Sequence, residues 1–216
     1  SPFFYRLERF HYTFFLSKKK ALFICSSLCE VSGRRDIMEP AIHQKTSPVH
    51  VQMLGGFELR CGDQVINENS SRSYQLWNLL EYLIAHRNQD VSQADIIEAL
   101  WPDGTSDNPA NALKNLVYRV RTVLAAAGFP YNKDLIRYAK GTYSINRDVD
   151  CVVDVEAFEA LYQEACLPET GAAQKEQLLL KALALYQGDF LPRAQYESWV
   201  VPISTYYHGL YLRCVE

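Results

Sequence analysis

Several features that mark common protein classes are missing from this sequence. The 216 residues include six scattered cysteines and no C-x-x-C pair. This pattern disfavours a zinc site or a disulfide framework and is typical of free thiols in a reducing compartment. The longest apolar runs, such as ALFIC at 21–25, are far shorter than the roughly 20 residues that span a bilayer. We therefore expect a cytoplasmic protein with no metal site and no membrane partner.

Enzyme motifs are missing as well. No G-x-x-x-x-G-K-[ST], G-x-S-x-G or H-E-x-x-H stretch occurs, so the sequence predicts no phosphate loop, nucleophile elbow or zinc-binding helix. The histidines at 43, 50, 86 and 208 stand apart in the sequence, and each is interpreted as a surface or packing residue. Acid clusters that form only in three dimensions stay open, but we expect neither an enzyme nor a bound cofactor.

Acidic residues are absent from one long internal stretch. The whole chain has a formal net charge of −3, yet no Asp or Glu occurs between Asp107 and Asp134. The stretch contains four basic residues: Lys114, Arg119, Arg121 and Lys133. A polyanion would therefore bind a local patch of this protein and not its whole surface.

The first part of the chain carries the signals of a small sheet and two helices. Two β-type runs in 49–66, separated by a Gly-Gly pair and followed by a CGDQ turn, predict an antiparallel sheet of three strands. Apolar residues recur at helical spacing in 72–86, which predicts the first helix. Ser92 is a suitable N-cap for a second helix, which Pro102 ends.

The next segment predicts a third helix and a hairpin. Asn108 as N-cap and Pro109 in the first turn are typical of a helix start, and Gly128 is typical of its end. The stretch LIRYAKGTYSIN at 135–146 alternates in character and turns at its central Lys-Gly pair, which predicts a hairpin. The order of sheet, three helices and hairpin predicts a winged helix-turn-helix.

The third helix has one apolar and one basic face. At 100° per residue an apolar stripe forms from Leu113, Val117, Val120 and Leu124, with Leu116 at its edge. The opposite face carries Asn111, Asn115, Tyr118 and Thr122, flanked by Lys114 and Arg121 on one side and by Arg119 on the other. These residue types hydrogen-bond base edges or phosphates. A merely solvated face is the alternative, but the absence of acids and the position before a wing favour DNA.

The character of the sequence changes after residue 150. VDVEAFEALYQEAC and KEQLLLKALALYQGDF are amphipathic helices joined by LPETGAA, and a third helix follows within SWVVPISTYYHGLYLRCV. Consecutive helices of this kind predict a helical-repeat segment. The fold class we expect is thus an α+β winged helix-turn-helix domain at 49–148, followed by an all-α, TPR-like segment at 149–216.

Residues 1–48 are expected to be an N-terminal extension. Residues 1–37 mix aromatics, a Lys triplet and two cysteines without sustained periodicity. They are either a basic arm or membrane-surface segment, or non-native sequence upstream of a natural start at Met38. We favour the second interpretation, because the chain continues smoothly from Met38 into the first domain.

Several of these segments together resemble those of a known family. The strands, the helix ending in IIEALW, the helix NALKNLVYRVRTVL and the hairpin YAKGTYSI resemble the OmpR/PhoB-type winged-helix domain. The stretch from DVEAFEALYQEA to LALYQGDFLP resembles the bacterial transcriptional activation domain (BTAD) of SARP-type regulators. The resemblance covers about residues 49–216.

The resemblance implies a role for each candidate residue. Asn115, Tyr118 and Arg119 would face the major groove beside Asn111, and Lys114, Arg121 and Thr122 would hold the DNA backbone. On the wing, Tyr138, Lys140 and Thr142 would approach a minor groove or phosphates, although Tyr138 could instead pack the hairpin, as we expect for Tyr143. The loop WPDGTSDNPA at 101–110 resembles the segment that contacts RNA polymerase, and a simple connector is the equal alternative.

The implied function is that of a sequence-specific, bacterial, DNA-binding activator. It would bind double-stranded DNA at promoter direct repeats as head-to-tail pairs and act at the nucleoid. We expect residues 149–216 to be the N-terminal part of the activation domain, truncated inside the repeat segment. The chain also departs from the family in carrying Leu116 where relatives often have a polar residue, and no receiver domain is expected within residues 1–48. The alternative function is a protein-interaction module, in which another part of the chain would cover the face of Asn115, Tyr118 and Arg119.

Overall fold

The computed structural model describes residues 47–104 and 107–216. Within it, Thr46–Glu216 form one compact unit. The expectations for residues 1–37 and for a start at Met38 lie outside the described residues. No helix in the described ranges is long and apolar enough to cross a bilayer.

The first sheet contains the three predicted strands and one that was not predicted. Strands β1 (Val49–Gln52), β2 (Glu58–Cys61) and β3 (Gln64–Asn67) pair antiparallel in sequence order. Strand β7 (Cys151–Val153) adds to the other edge of β1 and runs parallel to it. Its three residues are too few for an alternating pattern to be visible in the sequence.

Three helices follow the sheet, and the predicted caps of two of them are confirmed. They are α1 (Tyr74–Ala85), α2 (Gln93–Leu100) and α3 (Pro109–Ala126). The Ser92 hydroxyl accepts a hydrogen bond from the Asp95 amide at 3.1 Å, and the Asn108 side chain accepts one from the Asn111 amide at 3.1 Å. Each cap satisfies an amide that has no partner inside the helix.

The wing is a three-stranded sheet, with strand order β4-β6-β5. The predicted hairpin forms β5 (Ile136–Ala139) and β6 (Thr142–Ile145). Strand β4 (Val91–Ser92) pairs with β6 directly before α2 begins. The sequence gives no sign of β4, since two residues carry no periodicity.

The predicted apolar stripe of α3 is buried as a whole. Leu113, Val117, Val120 and Leu124 are at most 4% exposed, and Leu116 at the edge of the stripe is also buried. The helix packs on α1 and α2, the two helices that the sequence predicts as its neighbours. The confirmed burial means that the basic face of α3 points outward.

Three helices make up the last part of the chain: α4 (Asp154–Ala165), α5 (Ala172–Leu185) and α6 (Val200–Val215). Helix α5 begins inside the stretch predicted as a loop and ends before the QGDFL sequence, which is not helical. The winged helix and the helical segment are as predicted, while the TPR-like character of the segment and the division at residues 148 and 149 stay predictions.

One carboxylate joins the sheet to this helical segment. Asp154, at the start of α4, accepts hydrogen bonds of 2.8–2.9 Å from the backbone amides of Met53 and Leu54, and one of 2.8 Å from Val155. Burial raises the pKa of Asp154, and these amide hydrogen bonds oppose the rise. The contact therefore links β1 to a helix about 100 residues away.

The QGDFL stretch lies against the segment that follows β1. The Gly55 amide donates to the Asp189 carbonyl at 2.9 Å, and the Leu191 amide donates to the Met53 carbonyl at 2.8 Å. Gly55 has φ +83°, and a Cβ at this position would lie 2.7 Å from the Gln187 carbonyl oxygen. Only glycine allows the two backbones to approach this closely.

Side chains of α1 complete the contact with the helical segment. The Trp199 indole donates to the buried Asn78 side chain at 3.0 Å, and the Tyr74 hydroxyl donates to Glu197 at 2.6 Å. Beyond the end of α1, Arg87 forms an ion pair with Glu156. The winged helix and the helical segment thus share one continuous core.

Glu81 is a buried acid at this contact. Its side chain is on α1 and the residue is 2% exposed. Burial and repulsion from Glu68 raise its pKa to about 8, with Glu197 adding to the rise and Arg193 opposing it. Glu81 is therefore protonated in the folded protein at pH values where it ionises in the unfolded chain, whose pKa is about 4.3.

Substituting Val117 with Asp tests the assignment of the α3 faces. Val117→Asp places an unpaired charge in the core and should lower the free energy of unfolding by at least about 3 kcal/mol, measured by urea titration. Asn115→Asp introduces the same charge on the exposed face and should leave the midpoint nearly unchanged. Equal stability of the two variants would contradict the burial of the stripe.

The raised pKa of Glu81 predicts a pH dependence of stability. The folded state holds the Glu81 proton more tightly than the unfolded chain does. The contribution of this proton to the free energy of unfolding is therefore complete below about pH 4.3 and is lost as the pH rises toward 8, at up to about 1.4 kcal/mol per pH unit. Glu81→Gln should therefore gain stability relative to wild type between pH 5 and pH 8, in urea titrations. The control is Glu98→Gln, the same change at an exposed position. The prediction would be refuted if the stability difference between Glu81→Gln and wild type changed as little with pH as the difference for Glu98→Gln.

Candidate nucleic-acid interface

The outward face of α3 is an open polar surface. Asn111, Lys114, Asn115 and Arg119 are exposed, and Tyr118 has 70% of its area exposed. Because Val117 and Val120 are turned into the core, the helical period turns Tyr118 and Arg119 toward solvent. No residue in the described ranges covers this face.

This face has the chemistry of base and phosphate recognition. The Arg119 guanidinium offers a planar fork of donors that matches the acceptors of a guanine edge, and an asparagine amide matches adenine. Lys114 offers a mobile positive charge suited to phosphate. A helix of about 10–12 Å diameter also fits a major groove of about 12 Å.

Two of the residues predicted to hold the DNA backbone have partners within the chain. The Thr122 hydroxyl donates to the Tyr118 carbonyl at 3.0 Å. Arg121 is half-buried, and its Nη2 donates to the Ile136 carbonyl of the wing at 2.8 Å. The Thr122 hydroxyl would have to leave its partner to donate to a phosphate, and one of the five donors of Arg121 is engaged with the wing.

The wing ends in a tight turn that presents one lysine. Lys140 has φ +50° and Gly141 has φ +86°, the left-handed pair of a two-residue hairpin turn. Lys140 is exposed at this turn, and the Thr142 hydroxyl donates to the Ala139 carbonyl at 2.7 Å. The Gly141 carbonyl accepts from the Gln93 amide at 3.0 Å, which holds the turn at the start of α2.

The two tyrosines of the wing differ in exposure. Tyr143 is buried, as expected for a packing residue, whereas Tyr138 is 52% exposed. Their ring centroids are 4.7 Å apart. Burial and the neighbouring Tyr138 raise the pKa of Tyr143, and the charge of Arg121 opposes the rise. Tyr138 thus packs on the hairpin and is also accessible to a ligand.

One exposed basic residue of the wing was not among the candidates. Arg137 lies on β5 beside Tyr138, but its guanidinium pairs with Asp148 at 2.7 Å. The only sequence feature that indicates an exposed Arg137 is its position in the alternating stretch that predicts the hairpin. No cluster of three or more His, Cys, Asp or Glu side chains in the described part of the chain could hold a metal ion.

Comparison with known proteins agrees with this geometry. Residues 68–142 match the family model described as transcriptional regulatory protein, C terminal, a match that covers α1 to the start of β6. These residues are thus similar to the OmpR/PhoB-type winged-helix domain that SARP-type regulators contain. The predicted family resemblance is thereby confirmed, while the assignment of 149–216 to the activation domain stays a prediction.

Two relatives match a longer part of this chain. It is 26% identical over 153 residues to the transcriptional regulator RedD of Streptomyces coelicolor, covering 70% of this chain and 43% of RedD. Its fold is similar to that of Mycobacterium tuberculosis EmbR in a complex with a low-affinity phosphopeptide, with a TM-score of 0.62 at 20% identity over 77% of this chain and 43% of EmbR. The chain spans about two fifths of the length of either relative.

Proposed function

We propose that this chain is the DNA-binding part of a transcriptional regulator that recognises a specific duplex sequence. Helix α3 enters the major groove with Asn115, Tyr118 and Arg119 toward the bases. Asn111, in the first turn of the helix, lies near the DNA backbone. Lys114 and the wing residue Lys140 bind phosphates on either side. Exposed Tyr138 lies next to the minor groove.

The exposure of the α3 face is the observation that carries this proposal. A helix with a buried apolar stripe gains nothing in stability from an outer face that carries four basic or amide side chains and no acid. Such a face is suited to a negatively charged partner. The helical segment packs on the other side of the winged helix, against α1, and leaves the face open.

The same observation disfavours the protein-interaction alternative. That alternative required the face of Asn115, Tyr118 and Arg119 to be covered by another part of the chain, and these residues are exposed. RedD is described as a transcriptional regulator, which also supports a regulatory function over a catalytic one.

Finer features of the function rest on the family resemblance. We propose that the protein is an activator that binds direct repeats as head-to-tail pairs and acts in the cytoplasm, at the bacterial nucleoid. The α2–α3 loop is the proposed contact with RNA polymerase, and its exposed Asp103 and Asp107 would face the polymerase. Phosphate contacts by Arg121, Thr122 and Thr142 stay predictions, since their donors have partners within the chain.

Salt dependence tests the electrostatic part of the proposal. About 4–6 phosphate contacts from α3 and the wing should give a slope of roughly −4 to −5 in a plot of log affinity against log salt concentration. Fluorescence anisotropy with a labelled duplex measures it. An affinity that does not change with salt would contradict DNA binding by this surface.

Substituting Arg119 and Lys114 separates base recognition from backbone binding. The duplex is the strongest one recovered by the wild-type chain from a randomised library, and an unselected duplex of equal length is the reference. Arg119→Ala should weaken binding to the selected duplex by about 1–3 kcal/mol and binding to the reference much less. Lys114→Ala should weaken both about equally and make the salt slope shallower by about one unit.

Circular dichroism must first show that both variants are folded, because arginine stems also cover apolar surface. An equal loss on both duplexes for Arg119→Ala would make Arg119 a backbone contact. If neither variant changes binding to any selected duplex, the α3 face is not the DNA-binding surface, and the interaction-module alternative would replace this proposal.

A further inference from the structure

Arg121 forms a hydrogen bond between two parts of the proposed DNA-binding surface, the helix α3 and the wing. Its guanidinium reaches from α3 to the Ile136 carbonyl, 2.8 Å from Nη2. This is the only side-chain hydrogen bond between α3 and the wing hairpin in the described ranges. Besides apolar packing in the shared core, the link between α3 and β5 is therefore this one hydrogen bond.

The carbonyl that Arg121 binds lies on the open edge of the wing. Strand β5 is an edge strand, paired only with β6. The Leu135 carbonyl accepts from the Asn146 amide on the β6 side. Since successive carbonyls alternate along a strand, the Ile136 carbonyl points away from β6, toward α3. Without Arg121 this edge acceptor would have no partner from the helix.

The other side of the wing is already held. Strand β4 pairs with β6 at Val91 and Ser92, and the Gln93 amide donates to the Gly141 carbonyl at the turn. The hairpin is therefore anchored along β6, and on its β5 side Arg121 supplies the link to α3. Between these two attachments lie Tyr138 and Lys140.

The environment of Arg121 also favours a structural attachment over a phosphate contact. Its Nε is buried and has no hydrogen-bond partner among the described residues, so this donor cannot reach DNA. Its charge opposes the rise in the pKa of Tyr143, a buried residue that packs against Tyr138. The guanidinium thus binds the backbone of the wing and acts electrostatically on the tyrosine in its interior.

We propose that Arg121 is a positioning residue, which sets the wing relative to α3 so that Lys140 and the recognition helix contact one duplex at the same time. The effect on binding rests on the proposed DNA-binding function. A helix and a wing that are already placed for the duplex avoid the cost of ordering them on binding. The loss of Arg121 would then act through the wing and not through a missing phosphate contact.

The first test needs no DNA. Arg121→Met keeps the apolar stem and removes the donors, and Arg119→Met makes the same change at an exposed position. We expect amide hydrogen exchange of β5 and β6 to become faster in Arg121→Met and to stay at the wild-type rate in Arg119→Met. Unchanged exchange in a folded Arg121→Met variant would overturn the proposal, whatever the protein binds.

The second test is a double-mutant cycle with Lys140→Ala on the duplex selected by the wild-type chain. We expect Arg121→Met to weaken binding about tenfold, and Lys140→Ala to weaken wild type severalfold but Arg121→Met hardly further. Hydroxyl-radical footprints should lose protection next to the wing and keep it where α3 lies. In the control cycle, Arg119→Met and Lys140→Ala should be additive.

Additive losses for Arg121→Met and Lys140→Ala, with a footprint that keeps the wing protection, would make Arg121 an independent phosphate contact and overturn the proposal. If the wild-type chain selects no duplex, the proposed function fails, and the exchange experiment alone then decides whether Arg121 positions the wing. If Arg121→Met does not fold, Arg121→Lys, which keeps the stem and the charge but lacks the planar fork, takes its place in both tests.

Discussion

The burial of one apolar stripe on α3 is the constraint on which the proposed DNA-binding surface depends. The apolar stripe of α3 packs against α1 and α2. Because an α-helix has 3.6 residues per turn, the opposite face of α3 then faces solvent. Asn115 and Arg119 are exposed for that reason, and not because of contacts of their own. Burial of this one stripe therefore both stabilises the domain and turns the polar face of α3 toward solvent.

A second set of contacts makes the helical segment part of the same body. Asp154 accepts backbone hydrogen bonds from the end of β1, Gly55 lets the QGDFL stretch approach closely, and Trp199 donates to Asn78 inside the core. These contacts all lie away from the α3 face. The helical segment and the winged helix that presents the proposed DNA-binding surface thus share one core.

The predicted DNA-binding residues fall into two groups in the structure. Asn111, Lys114, Asn115, Tyr118, Arg119, Tyr138 and Lys140 are exposed. Arg121, Thr122 and Thr142 donate to carbonyl groups of the chain, so that the two threonine hydroxyls would have to leave an existing hydrogen bond to donate to a phosphate. Such bonds hold the shape of the surface before a ligand arrives, and Arg121 does so across the gap between helix and wing.

The sequence alone determined the features that depend on near neighbours in the chain. The caps at Ser92 and Asn108, the stripe of α3 and the Lys140-Gly141 turn follow from interactions within a few residues, which leave a local pattern. Other features depend on contacts between distant parts of the chain and are visible only in the folded structure: the strands β4 and β7, the pairing of QGDFL with residues 53–55, and the hydrogen bonds of Asp154 and Arg121. The Ile136 partner of Arg121 lies 15 residues away along the chain and the Met53 partner of Asp154 lies 101 residues away, and the partners of QGDFL are still farther. A side chain's own sequence neighbourhood does not indicate which distant backbone group it will meet.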